Sequence, residues 1–205
     1  MRLPYCIGLT GNIATGKTTV GQMLQALGAV WIDADKVAHR MMEPGGKVYK
    51  AVTQAFGPQI LGHDGTIDRG KLGNRVFSDP QALRELESLV HPAVIEAVEH
   101  QIALSEAAVV VVEAIKLLES GMAAHYQAIW VTVCDEETQV ARLMQGRNLS
   151  RDAALQRIRA QPSQEDKIAV ADLVITTEGS LEKTRAQVEA AWAELNALLV
   201  AGHET

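Results

Sequence analysis

Apolar residues along the chain fall into two rhythms. Short runs at Tyr5–Thr10, Ala29–Asp33, Val109–Glu113, Ala128–Val133 and Leu173–Thr176 are nearly continuous and bounded by Gly, Pro or polar residues. Runs of that kind predict strands buried on both faces. Elsewhere apolar positions recur every three to four residues, which predicts helices over Lys17–Leu27, Asp135–Met144 and Leu181–Leu199. In the last of these, Val188, Ala191, Trp192, Leu195 and Leu199 form the stripe, and Ser180 marks the start. Strands alternating with helices indicate an α/β protein with a five-stranded parallel sheet and helices on its faces.

Two intervals are too long or too charged for a simple crossover. The first, about residues 36–106, reads as several short helices punctuated by Glu43-Pro44-Gly45-Gly46, Phe56-Gly57-Pro58 and Gly62-His63-Asp64-Gly65. It predicts a helical insertion carrying substrate contacts within a single domain spanning 1–205. The second, about 142–167, gathers Arg142, Arg147, Arg151, Arg157 and Arg159. A helical lid and an ordinary solvated amphipathic helix both fit that pattern.

Composition narrows the partners. Hydrophobic residues make up 47% of the chain and charged residues 21%, as in an ordinary globular protein with a substantial core. The net charge of -6 argues against a protein that wraps nucleic acid or coats an anionic membrane by bulk electrostatics, so an anionic ligand needs local donors. Cys6 and Cys134 lie in apolar runs and read as buried hydrophobes in a reducing compartment. The histidines show no metal-site spacing, and no structural zinc is expected. The start, MRLPYCIGLTGN, resembles neither a signal peptide nor an anchor. The longest apolar run, Ala107 to Val112, is far below the roughly 20 residues that span a bilayer. A cytoplasmic protein acting on small molecules is expected, with no nucleic-acid or membrane partner.

One segment carries explicit chemistry. Gly11-Asn12-Ile13-Ala14-Thr15-Gly16-Lys17-Thr18 fits the phosphate-binding pattern G-x-x-x-x-G-K-[ST] and stands between a predicted strand and a predicted helix. Its glycines let backbone N–H groups converge on phosphate oxygens, and the helix start adds a positive dipole end. Lys17 would reach the β- and γ-phosphates and Thr18 the coordination shell of Mg²⁺, with ATP as the nucleotide. Thr19 belongs to the nucleotide segment by position, its side chain turned to the helix packing. No guanine-reading N-K-x-D motif is present. Val109–Glu113 loosely resembles a strand ending in a metal-binding acid, and a purely structural strand fits as well.

The stretch Trp31-Ile32-Asp33-Ala34-Asp35 follows the loop helix. On a strand, Asp33 and Asp35 would share one face. Acids at a strand-to-helix junction are also common helix caps. In this fold class the strand is expected beside the first strand, its carboxyl end opening onto the ligand crevice. There a carboxylate could accept the proton of an attacking hydroxyl or orient Mg²⁺. Asp35, nearer the insertion, is the better base; Asp33 is assigned to the metal or acceptor side. In the insertion, Asp68-Arg69 is either a cap with a surface arginine or an acceptor contact at Arg69. His91-Pro92 is either an acceptor contact or a structural helix start, with Pro92 in a first turn. Trp31, Trp130 and Trp192 read as core.

The order of GLTGNIATGKTTV, LGAVWIDAD, Gly65-Thr66-Ile67-Asp68-Arg69, His91-Pro92, ARLMQGRNLS, RIRAQ and Ala171-Asp172-Leu173-Val174-Ile175 resembles the dephospho-coenzyme A kinase family over nearly the whole chain. The resemblance implies a three-layer P-loop kinase fold with a helical acceptor-binding insertion and a helical lid. It implies transfer of the ATP γ-phosphoryl group to the ribose 3′-hydroxyl of dephospho-coenzyme A, the last step of coenzyme A biosynthesis. It also implies that Asp35 is the catalytic aspartate and that Arg142 and Arg147 are lid arginines acting with Lys17. Three features depart from the family pattern. Ile115-Lys116-Leu117-Leu118-Glu119 replaces P-L-L-x-E on the acceptor side, where Leu117 is assigned to substrate; Asn12 and Ala14 replace loop glycines; Thr177 stands where an Asn is common. Another small-molecule or nucleoside monophosphate kinase is the nearest alternative, and a nucleotide-dependent switch is the alternative of another class.

Overall fold

The apolar runs assemble into one sheet in the computed structural model, which describes residues 3–201; Met1 and Arg2, part of the N-terminal reading, lie outside it. The strands are β1 (Tyr5–Thr10), β2 (Val30–Asp33), β3 (Val109–Glu113), β4 (Ala128–Val133) and β5 (Leu173–Thr176). Their order is β2-β3-β1-β4-β5, with β1 parallel to both β3 and β4 and β4 parallel to β5. The strand following the loop helix therefore lies beside β3, not beside β1 as the sequence reading expected. Burial explains the exchange. All five residues of β3 are buried and suit a central position, whereas Val30 of β2 is 38% exposed and suits an edge. Because the chain leaves β1 toward β2 on one side and reaches β4 on the other, the carboxyl end of β1 is a topological switch point.

The helices are α1 (Lys17–Ala26), α2 (Ala34–Met41), α3 (Tyr49–Phe56), α4 (Arg69–Phe77), α5 (Pro80–Ala103), α6 (Glu136–Arg147), α7 (Arg151–Arg159), α8 (Gln164–Ile168) and α9 (Leu181–Ala201). They divide between two units, one comprising the chain up to Ile32 and from Ser105 onward, the other Asp33–Leu104.

In the first unit, Ile7 and Leu9 of β1 pack with Val20 and Leu24 of α1 and with Val188 and Leu195 of α9. The opposite face of β1 carries Gly8, where a Cβ would lie only 2.7 Å from Leu117 Cδ2 and from Tyr126 Cδ2. Leu117 is wholly buried there, so its assignment to substrate is corrected: it fills the sheet's second face and offers a ligand no surface.

The second unit buries Val37, Val52, Phe56, Ile60, Leu72, Val76, Val90, Val94 and Val98. Its last helix, α5, is 24 residues long and runs through Pro92, where the sequence suggested short helices and a helix start. Pro80 occupies the first turn instead, and Asp79 caps it by accepting from Gln81 N and Ala82 N. The buried face of α5 offsets the roughly 3 kcal/mol that an interior proline costs a helix. Among the described residues no helix is long and apolar enough to cross a membrane.

Gly21 of α1 is required by the strand it crosses: a Cβ there would lie 2.6 Å from Trp31 Nε1. Gly21→Ala is expected to destabilise the fold by about 2 kcal/mol, overpacking exceeding the gain in helix propensity. Thermal unfolding should show a midpoint lowered by roughly 4–8 °C. An unchanged midpoint would show that Trp31 is not fixed there.

Candidate active site

Between β1 and α1 the chain turns through residues 11–16. Gly11 takes a φ of 149°, and a Cβ on it would collide with Thr132 O at 2.5 Å. Gly16, the residue before α1, takes a φ of 86° and supplies no side-chain cap. The first-turn N–H groups of α1 have no intrahelical acceptors, so they face the concave side of the loop as anion donors. Lys17 Nζ bends back along the loop, 2.9 Å from Gly11 O and 3.0 Å from Asn12 O.

The remaining loop side chains brace the turn. Thr15 Oγ1 lies 2.8 Å from both Asn12 O and Thr132 Oγ1 and is wholly buried. Asn12 Nδ2 donates to Pro162 O at 2.8 Å. Ile13 and Ala14 pack on a cluster of Val140, Leu143, Ala154 and Ile158 from α6 and α7. Ala14 sits at φ 61°, a left-handed conformation costing a residue with a Cβ roughly 1–2 kcal/mol. The side chains of Asn12 and Thr15 are thus engaged in the brace, whereas those of Lys17 and Thr18 stand at the start of α1.

Thr18 Oγ1 donates to Glu113 Oε1 at 2.8 Å, and Trp31 Nε1 donates to Glu113 Oε2 at 3.1 Å. Glu113 closes β3 and is buried. Of the readings left open for Asp33, a metal-side role and a helix cap, the cap is seen. The residue is the N-cap of α2, accepting from Lys36 N at 2.9 Å and pairing with Lys36 Nζ at 3.0 Å. β2 ends at Asp33 and Asp35 lies in the first turn of α2, so the two acids do not share a strand face. A cap fixes the helix start, and that displaced the period-two reading.

Arg142, expected in a lid, lies in mid-α6. Its guanidinium donates to Ala14 O at 3.0 Å, Thr177 Oγ1 at 3.0 Å and Thr177 O at 2.6 Å. Thr177 Oγ1 in turn donates to Thr15 O at 2.8 Å, which completes a brace behind the loop. Arg147 is exposed in the last turn of α6, while Arg151 and Arg159 pair with Glu137 and Glu136. Lys167, 2% exposed, donates to Ile115 O at 3.0 Å and to Glu119 Oε1 at 3.2 Å, holding the segment after β3. Burial pushes the Cys134 thiol up against the lowering pull of Arg142, so it stays protonated.

In the second unit, Asp35, Arg69 and Asp33 share the surroundings of His39, a residue the sequence reading passed over. Its signal was the four-residue spacing from Asp35, which puts both on one face of α2. Arg69 opens α4 and is exposed; Asp68 caps it, accepting from Gly70 N at 2.8 Å. His91 is half-buried on α5.

A glycine-containing loop with Lys and Thr at the start of a helix, at the switch point of a parallel sheet, defines a P-loop nucleotide-binding protein. The chain belongs to the dephospho-CoA kinase family, whose model matches residues 5–183. A dephospho-CoA kinase of Symbiobacterium thermophilum is 44% identical over 91% of this chain and 79% of its own length. That of Carboxydothermus hydrogenoformans is 44% identical over 89% of this chain and 90% of its own. Among solved structures, TT1252 from Thermus thermophilus superposes with a TM-score of 0.83 at 34% identity, covering 95% of this chain and 99% of that one. The fold, though not the sequence, is shared with an Acinetobacter baumannii shikimate kinase, at a TM-score of 0.55 and 14% identity over 95% of this chain and 94% of that one.

Burial, then the Arg69 charge, lowers the pKa of His39 below its ordinary 6.5, while Asp35, Asp33 and Glu43 pull upward. The unfolded chain therefore binds more protons just below pH 6.5, and stability should fall as the pH drops through that window. Urea unfolding on either side of pH 6.5 should show this slope in the wild type and a flatter one in His39→Gln. Equal slopes would remove His39 as its source.

Proposed function

We propose that this chain transfers the γ-phosphoryl group of ATP to the ribose 3′-hydroxyl of dephospho-CoA in the cytoplasm. The observation that carries the reading is the Lys17–Thr18–Glu113 arrangement on a loop whose helix start is left uncapped, in a chain of this family.

The donor set also fits Mg²⁺. A hydroxyl and a carboxylate 2.8 Å apart are hard oxygen ligands, and Mg²⁺ habitually takes one or two carboxylates with phosphate and water. Thr18 and Glu113 would hold it, where it would supply charge neutralisation at the β- and γ-phosphates.

Loop N–H groups and Lys17 hold the phosphates in line. The 3′-oxygen bonds to the γ-phosphorus as the bond to the β,γ-bridging oxygen breaks, and Asp35 takes the hydroxyl proton. Asp33 supports Asp35 by capping its helix. Arg142 acts by holding Ala14 and Thr177, and Arg147 is the arginine of the pair assigned to the moving phosphoryl oxygens. Arg69 and His91 face the anionic acceptor on the 33–104 unit, and residues 142–167 form the lid.

A turnover assay with dephospho-CoA, adenylate and no acceptor separates the possibilities. ADP should form only with dephospho-CoA; formation with adenylate would assign a nucleoside monophosphate kinase, and acceptor-independent hydrolysis a switch. Asp35→Asn should lower kcat at least about 100-fold while ATP binding persists. Near-normal turnover would remove Asp35 as the base.

A further inference from the structure

Four hydrogen bonds tie the tip of the loop to the segment after β4. Asn12 Nδ2 donates to Pro162 O, Gln139 Nε2 to Ile13 O at 2.7 Å, Arg142 to Ala14 O, and Ile13 N–H to Gln161 Oε1 at 2.6 Å. Two of these engage loop carbonyls, for which a phosphate has no use, and one satisfies the Asn12 side chain. The fourth engages a backbone N–H, the group with which this loop motif holds phosphate oxygens.

The position of that N–H matters. The first turn of α1 serves the phosphates nearest the nucleoside, and Ile13 lies upstream of it, toward the end of β1. We propose that Gln161 competes with the terminal phosphate of ATP for the Ile13 N–H and thereby sets the preference between ATP and ADP. A charged phosphate oxygen is a stronger acceptor than a carboxamide, so ATP displaces Gln161. ADP has no third phosphate and leaves the bond intact. The bond therefore lowers affinity for the triphosphate alone.

A second observation marks the tip as an arrangement open to change. Asn12 Oδ1, on a residue 4% exposed, is buried without a hydrogen-bond partner, so the loop tip is not a fully satisfied structural knot. Gln161 is half-buried just beyond the C-cap of α7, where substitution leaves the core untouched.

The proposal rests on the loop being the ATP site, and calorimetric titration of the full chain tests both separately. ADP and a non-hydrolysable ATP analogue would be titrated into wild type, Gln161→Ala and Gln161→Glu. Gln161→Ala should bind the triphosphate analogue about five-fold tighter and ADP unchanged. Gln161→Glu keeps an acceptor but adds negative charge, and should weaken the analogue about ten-fold with ADP unchanged. Equal changes for both nucleotides, or weaker analogue binding to Gln161→Ala, would show a merely structural residue and overturn the proposal. Wild type binding neither nucleotide would overturn the ATP-site reading and the proposal with it.

Discussion

Turning a strand into a helix within six residues while leaving the helix's first N–H groups uncapped is the constraint on which the rest of the first unit depends. A side-chain cap at Gly16 would take up one of those groups and compete with an anion there. Left open, they make the loop costly to hold unless other contacts fix it. Thr15, Thr132, Thr177 and Arg142 supply those contacts from behind, through hydrogen bonds of 2.6 to 3.0 Å. The loop stays open toward its ligand because it is closed on the other side.

The same economy explains the departures from a glycine-rich loop. Ala14, at φ 61°, is a sterically poorer choice than glycine, and Asn12 makes through its side chain a bond to Pro162 that glycine could not. The Ala14 methyl also gives the α6–α7 pair a surface to pack against, which a bare glycine would not. An overall charge of -6 is compatible with anion binding because these donors are local and oriented.

Much of the fold was legible. β1, β3, β4 and β5 fall on the strands read from the apolar runs, and the helix after the loop begins at Lys17. The strand order was not legible, since β2 and β3 are both short and apolar and only the amount of surface each leaves exposed decides which is central. Nor was α5, because a local proline rule carries no knowledge of the apolar face that the surrounding helices bury. In the site, the loop letters located Lys17 and Thr18 at the start of α1; the cap was one of two readings left open for Asp33, and Leu117, assigned to substrate, fills the core.

By itself the sequence determined what depends on near neighbours along the chain: the strand–loop–helix unit, the identity of the phosphate-binding residues and the family pattern around them. Such features follow from periodicity and backbone conformation over a few residues. Only the tertiary structure decided which carboxylate meets Thr18, how Arg142 and Thr177 brace the loop, and that Gln161 reaches the Ile13 N–H. These pairs are separated by 35 to 148 positions, and Thr18 and Glu113 by 95, so their meeting depends on strand order and helix packing that no local pattern encodes.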